Sequence, residues 1–177
     1  MRHATALLIG LLMALAVSQF PEYSQQYVQR LGGAVDELRA ITAEFDAAAL
    51  GAGLTRDQAM ARYAAADDSF LVGRAASMNA TFARYTYLNT LLTNVQDAPA
   101  LERAAWFPQF FDPQIASRTL ASYQPALPIT LEGLGFAGAG FLIGYLLTAY
   151  LFGLARLIFG RRRRRDRDAI YADTADY

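Results

Sequence analysis

The 177-residue chain contains no cysteine, no lysine and a single histidine, His3. Without cysteine it can form no disulfide framework, no thiolate metal site and no cysteine nucleophile. One histidine near the N-terminus excludes a His-based catalytic triad and a His-rich zinc site in the rest of the chain. The sequence also has no Gly-rich phosphate loop and no strand-like alternation beyond four residues. We therefore expect an all-α protein that is not an enzyme, with no catalytic residue, no cofactor and no metal site.

Neighbouring carboxylates are the remaining candidates for acid–base chemistry. Asp36-Glu37 and Asp67-Asp68 are adjacent pairs in the sequence. On a helix, adjacent side chains point about 100° apart and do not face each other. We interpret both pairs as solvated charges on helix surfaces rather than as catalytic pairs.

Charged side chains are missing from one long stretch, because no Asp, Glu, Arg or His lies between Glu132 and Arg156. At 1.5 Å rise per residue its residues, about 23 in number, span about 35 Å, enough for a hydrocarbon core of about 30 Å. The pattern predicts a C-terminal transmembrane helix at residues 131–160 and a basic cytoplasmic tail at residues 161–177, since basic flanks stay on the cytoplasmic side. Five consecutive arginines begin the tail: Arg161, Arg162, Arg163, Arg164 and Arg165.

The arginine block has two interpretations. It determines topology, and it can also bind anionic lipid headgroups, at about 1 kcal/mol for each residue close to the surface. Nucleic-acid binding is not expected, because it needs more than five arginines tethered to a membrane. Membrane lipids are therefore the predicted partner of the tail.

The N-terminus has the form of a secretory signal or a signal anchor. Arg2 and His3 precede an apolar run that contains only Thr5 as a mildly polar member before Ser18. Such a segment can be cleaved or retained. An apolar stripe at helical spacing continues beyond Phe20, which favours an uncleaved transmembrane helix at residues 1–20. Both termini are then cytoplasmic, and residues 21–130 lie on the outer side of the membrane.

Residues 21–130 carry 8 arginines against 11 acidic residues, a net charge of −3. Helix-start patterns recur in this segment: Thr55 with Gln58 forms a capping box, and Asp112 precedes Pro113. Apolar residues recur at helical spacing between these starts. The predicted fold is an all-α membrane protein in which two transmembrane helices flank a periplasmic domain of three to four helices.

Small residues form one face of the second apolar run, at spacings of four, three, four and four. In lipid, small residues let helix backbones approach each other and thereby favour pairing. We predict a helix–helix interface on this face and leave three occupants open: the first apolar helix of the same chain, a second copy, or another membrane protein. The predicted interface residues are Gly133, Ala137, Gly140, Gly144 and Thr148.

An aromatic cluster, divided by Pro108, lies near the end of the middle segment. Such residues can lie at the membrane surface as an interfacial belt, or they can form the core of a small helical domain. The cluster consists of Trp106, Phe107, Phe110 and Phe111.

The run Ser18–Leu38, SQFPEYSQQYVQRLGGAVDEL, resembles a bacterial membrane-protein family catalogued as domain of unknown function 2937 (DUF2937). The resemblance implies an inner-membrane protein that keeps its first helix. It implies no activity, substrate or catalytic residue.

Two hypotheses of function follow from the residues. The first is a non-enzymatic structural or accessory inner-membrane protein that associates through the small-residue face and the periplasmic domain, as a subunit of a larger complex. The second is a periplasmic ligand-binding or sensor module that signals through a partner, because the short tail cannot hold a signalling domain.

Overall fold

The structure is a computed structural model. It describes the backbone of residues 2–106, 111–127 and 129–173, and the side chains of residues 3–105, 111–127 and 129–157. All regular structure in these ranges is α-helical. The helices are α1 (Arg2–Ser18), α2 (Phe20–Gly51), α3 (Arg56–Ala64), α4 (Ser69–Val95), α5 (Ala100–Trp106), α6 (Pro113–Ala121) and α7 (Leu131–Asp173). The predicted all-α class is confirmed.

The chain divides into two compact units. The first, the α1/α7 unit, comprises Met1–Pro21 and Ala126–Tyr177, and the second, the middle unit, comprises Glu22–Pro125. Two helical stretches are long and apolar enough to cross a membrane, His3–Gly51 and Leu131–Leu157. In both stretches only 17% of the apolar window is buried inside the protein. A buried core helix would be mostly covered, so these two helices indicate association with a membrane.

Several helix boundaries follow the capping patterns of the sequence. The Thr55 hydroxyl accepts a hydrogen bond from the backbone N–H of Gln58, and the Gln58 side chain accepts one from the N–H of Thr55. Thr130 caps α7 with a single hydrogen bond, since its hydroxyl accepts from the N–H of Gly133 at 3.0 Å. At the end of α2 the chain reverses through Gly53, whose φ of +71° is readily adopted only by glycine.

The first two helices are separated by the single residue Gln19. Pro21 lies in the first turn of α2, where its missing N–H costs no intrahelical hydrogen bond. The apolar stripe that continues beyond Phe20 in the sequence thus belongs to a new helix.

The core of the middle unit lies where α2, α4 and α6 pack against one another. Leu31 and Val35 are fully buried, and the rings of Tyr27 and Phe111 stack with centroids 6.2 Å apart. Periodic apolar positions on each helix produce this core, as the sequence pattern predicts. The buried cluster consists of Tyr27, Leu31, Val35, Leu88, Leu91, Val95, Ile115 and Ala116.

A buried polar cluster holds the same three helices together. Asp112 caps α6 by accepting from the N–H of Ile115 at 2.8 Å. Its two carboxylate oxygens also accept from the Arg84 guanidinium at 2.6 and 2.9 Å. The N–H of Asp112 donates to the Tyr27 hydroxyl at 2.9 Å. The Asp112 side chain is only 4% exposed, so a carboxylate there depends on these partners.

The number of helices differs from the sequence prediction. Five described helices, α2 to α6, lie between residues 20 and 125, where three to four were predicted. The shortest is α5, with seven residues, whereas α6 begins after Asp112 as the sequence pattern predicts. Helix α7 runs through the arginine block to Asp173. Arginine has a high helix propensity, so the block does not end the helix.

Thr42 on α2 supplies a prediction about stability. Its side chain is 5% exposed, and its hydroxyl has no hydrogen-bond partner among the described residues. An unsatisfied buried hydroxyl costs about 1–3 kcal/mol, and valine has nearly the same shape without this group. Thr42→Val is therefore expected to raise the free energy of unfolding by about 1 kcal/mol, measured by thermal denaturation. An exposed control, Thr93→Val, should change it by less than about 0.5 kcal/mol.

Candidate functional site

The small-residue face of α7 packs against α1. Gly133, Gly140, Gly144 and Thr148 are buried, and Ala137 is half-buried. Of this set, Gly140 and Gly144 lie directly against α1. We call the contact between this set and α1 the seam.

The seam is a contact of backbone against backbone at two glycines. A Cβ added at Gly140 would lie 2.6 Å from the carbonyl oxygen of Met13 and 2.8 Å from Cβ of Val17. A Cβ added at Gly144 would lie 2.8 Å from Cβ of Met13 and 3.1 Å from the carbonyl oxygen of Ile9. Carbonyl oxygens of a helix cannot move away as a flexible side chain can. Only glycine therefore fits at these two positions with α1 in place.

The order of the contacts gives the direction of the two helices. Ile9 lies beside Gly144, whereas Val17 lies beside Gly140, so residue numbers rise along one helix as they fall along the other. At one end of the seam the rings of Phe20 and Phe136 stack, with centroids 5.5 Å apart. Helices α1 and α7 thus pack as an antiparallel pair.

The side of α1 that enters the seam is also built from small residues. Ala6 is 1% exposed, and a Cβ added at Gly10 would lie 3.0 Å from the Phe141 ring and 3.2 Å from its carbonyl oxygen. Ala6, Gly10, Ala14 and Ser18 follow at spacings of four. Gly10 and Ala14, four residues apart, are the part of this stripe that the sequence predicts to pack against the α7 groove when the first apolar helix occupies it. Ala6 and Ser18 extend the stripe by one step at each end.

Two hydroxyl groups lie inside the seam, and both are satisfied within their own helices. Thr148 donates to the carbonyl oxygen of Gly144 at 2.7 Å, and Ser18 donates to that of Leu15 at 2.9 Å. In a hydrocarbon environment an unsatisfied polar group costs several kcal/mol. The seam is therefore compatible with lipid on all sides.

The opposite faces of the same two helices are apolar and exposed. Leu8 and Leu12 on α1 are 59% and 57% exposed, and Leu146 on α7 is 61% exposed. Exposure of so many large aliphatic side chains to water would be unfavourable, at about 25 cal/mol for each Å². The outward faces thus suit contact with lipid chains. The same faces also carry Leu7, Leu11, Leu15, Leu142, Ile143, Leu147 and Leu151.

The remaining predicted site residues are only partly described. The side chains of Trp106 and of Arg161, Arg162, Arg163, Arg164 and Arg165 lie outside the described residues, as do Phe107 and Phe110 altogether. Phe111 is half-buried and packs on the core cluster of the middle unit. Of the two interpretations of the aromatic cluster, membrane interface or domain core, the position of Phe111 fits the domain core.

The described residues offer few groups for catalysis. Among them, no group of three or more His, Asp or Glu side chains is placed to hold a metal ion. The buried carboxylate of Asp112 is already engaged by Arg84 and by the start of α6. The main feature of the described geometry is instead the close packing of α1 against α7, whose outward faces are apolar.

Comparison with known proteins identifies the family. No curated protein and no solved structure matches the chain. A family model described as a protein of unknown function, DUF2937, matches residues 1–162. The resemblance seen over Ser18–Leu38 is thereby confirmed and extends over nearly the whole sequence, including both apolar stretches. The chain therefore belongs to the DUF2937 family.

Proposed function

We propose that this chain is a non-enzymatic structural or accessory protein of a bacterial inner membrane, and a subunit of a larger membrane complex. In this proposal residues 1–20 and 131–160 cross the bilayer, and residues 21–130 form a periplasmic domain. Both termini lie in the cytoplasm, where the tail contacts anionic lipid headgroups. The antiparallel seam is the observation that carries the proposal, since it joins two apolar helices whose outward faces suit lipid.

The orientation is supported by the distribution of arginine. Residues from Arg156 onward carry 7 arginines against 4 aspartates, whereas residues 21–130 have a net charge of −3. Basic residues close to a span are retained in the cytoplasm. An antiparallel pair then leaves Arg2 on the same side as the arginine block.

The seam also bears on how a partner protein would bind. The small-residue face of α7 is already in contact with α1. Association through that face would require a second chain to displace α1. We therefore propose that a partner protein contacts the outward faces of α1 and α7 and the helical domain. In this proposal the seam holds α1 and α7 of the same chain together.

Topology can be tested with single cysteines, because the native chain has none. Asp57→Cys in the domain should react with a membrane-impermeant maleimide in intact spheroplasts. A cysteine appended after Tyr177 should react only after the membrane is opened. Reaction of the appended cysteine in intact spheroplasts, or a mature N-terminus near Gln19, would contradict the proposed arrangement.

Complex formation is tested by the mass of the tagged protein extracted in mild detergent. Native mass spectrometry should find it in a defined assembly heavier than the 19.4 kDa chain. A lone monomer under all mild extraction conditions would contradict the accessory-subunit proposal.

A second candidate function, ligand binding by the middle unit, is favoured by one observation. An apolar pocket of about 240 Å³ lies between the end of α2 and α3. A larger open groove of about 700 Å³ lies beside α6, but several of its polar side chains already bond to neighbours. Gln26 bonds to the backbone of Gln124, and Arg30 donates to the Ser122 hydroxyl. The apolar pocket is therefore the better candidate for a ligand site.

A further inference from the structure

The apolar pocket is formed where α2 ends and the chain turns into α3. Its walls are four alanines, Leu54, and the rings of Phe45 and Tyr63, whose centroids are 6.1 Å apart in an edge-to-face arrangement. Alanine at four wall positions leaves room that larger side chains would fill. Phe45, Ala48 and Ala49, which line the pocket from α2, follow at spacings that place them on one face of that helix.

The only charged side chain that lines the pocket is Arg62. It is exposed and makes no ion pair with any described residue. Asp46, close to the end of α2, is engaged by another arginine, because both of its carboxylate oxygens accept from Arg56. Arg56 in turn lies 4.6 Å from the centre of the Phe82 ring. Arg62 therefore lies at the apolar pocket without an ion-pair partner among the described residues, and no carboxylate lines the pocket.

We propose that this pocket binds a single-chain amphiphile with an anionic head, such as a medium-chain carboxylate. The alkyl chain lies in the slot between α2 and α3, and the carboxylate pairs with Arg62. The small volume excludes a larger ligand, since sites for drug-sized molecules have about 300–1,000 Å³. The charge of Arg62 excludes an amphiphilic cation. This inference rests on the second candidate function, ligand binding, and is independent of the accessory role.

The test uses octanoate as the probe and the full chain in lipid nanodiscs, with empty nanodiscs as the background. Isothermal titration should show saturable binding of one octanoate for each chain. Ala48→Trp places an indole in the slot and should abolish this binding. Ala47→Trp is the matched control, because Ala47 is also exposed on α2 but does not line the pocket. Binding no greater than to empty nanodiscs, or equal binding by the two tryptophan variants, would overturn the proposal.

A second pair of variants tests the charge without filling the pocket. Arg62→Gln should weaken octanoate binding about two- to fivefold, as expected for an exposed ion pair, and leave the binding of uncharged octanol unchanged. Arg74→Gln, which removes one charge from an exposed position on α4, should bind octanoate like the native chain. Equal affinity of Arg62→Gln and the native chain for octanoate would overturn the assigned ligand class. None of these results alters the topology or the mass measured for the accessory role.

Discussion

Replacement of both Gly140 and Gly144 by leucine is expected to separate α1 from α7. Each new side chain would overlap backbone and Cβ atoms of α1, which approach to between 2.6 and 3.1 Å of an added Cβ. Overpacking typically costs about 1–3 kcal/mol at one site, so the pair should cost about 3 kcal/mol or more. The variant chain should still form two helices, because leucine has a high helix propensity.

Distance measurement between spin labels can detect this separation. Since the chain lacks cysteine, Leu8→Cys and Leu147→Cys can carry the two labels on outward faces of α1 and α7. The native pair should give one narrow distance distribution, and the double leucine variant a broad and longer one. Leucine at Gly135 and Gly138 is the matched control, because nothing lies within 4 Å of a Cβ added there. An unchanged distribution in the Gly140 and Gly144 variant would show that the seam contact is not tight.

Asp112→Ala is expected to destabilise the middle unit strongly. It removes the cap of α6 and leaves Arg84, whose side chain is 31% exposed, without its carboxylate partner. Loss of one member of a buried pair costs about 3–5 kcal/mol, and loss of an N-cap costs about 1 kcal/mol. Because Arg84 can partly rehydrate, we expect a total near 3 kcal/mol.

Thermal unfolding followed by circular dichroism measures this effect. At about 4–8 °C for each kcal/mol, the transition of the middle unit should fall by at least about 10 °C. Asp36→Ala is the control, because Asp36 also pairs with an arginine, Arg39 at 2.8 Å, but its side chain is 70% exposed. An exposed pair contributes about 0–1 kcal/mol, so this transition should move little. Equal shifts for the two variants would show that the Asp112 cluster does not stabilise the unit.

The same cluster contributes to the pH dependence of stability. The Arg84 guanidinium, together with the N–H of Ile115, lowers the pKa of Asp112 although burial opposes the shift. In the unfolded chain the pKa of an aspartate is about 3.9. The stabilising contribution of Asp112 is therefore complete above that pH and is lost as the pH falls through the lower folded pKa. The stability difference between the native chain and Asp112→Ala should stay constant from pH 7 to 5 and shrink below pH 4, measured by denaturation at each pH.

Helix starts in this chain were predictable because they depend on local chemistry. Thr55, Asp112 and Thr130 each satisfy backbone N–H groups within the next few residues, so a short sequence pattern is sufficient to identify them. The number of helices was less predictable. Helices α5 and α6 are too short to display a clear period, and tertiary packing rather than propensity stabilises them.

Arg84 shows why other parts of the structure could not be predicted. It lies 28 residues from Asp112 in the sequence, and no local pattern relates the two side chains. Tyr27 is still farther away, at a separation of 85 residues. The apolar pocket likewise depends on how α3 folds back against the end of α2. Contacts of this kind arise only when helices pack, so the sequence pattern around each residue does not contain them.

The sequence by itself determined that the chain is helical, that it has two apolar stretches of membrane-spanning character, and that Gly140 and Gly144 lie on a pairing face. Composition, hydropathy and helical period are properties of consecutive residues, so they can be read without coordinates. Only the tertiary structure decided which helix occupies that face. Three occupants satisfied the same small-residue pattern, and in the structure α1 lies on this face, with Met13 and Val17 against Gly140 and Met13 and Ile9 against Gly144.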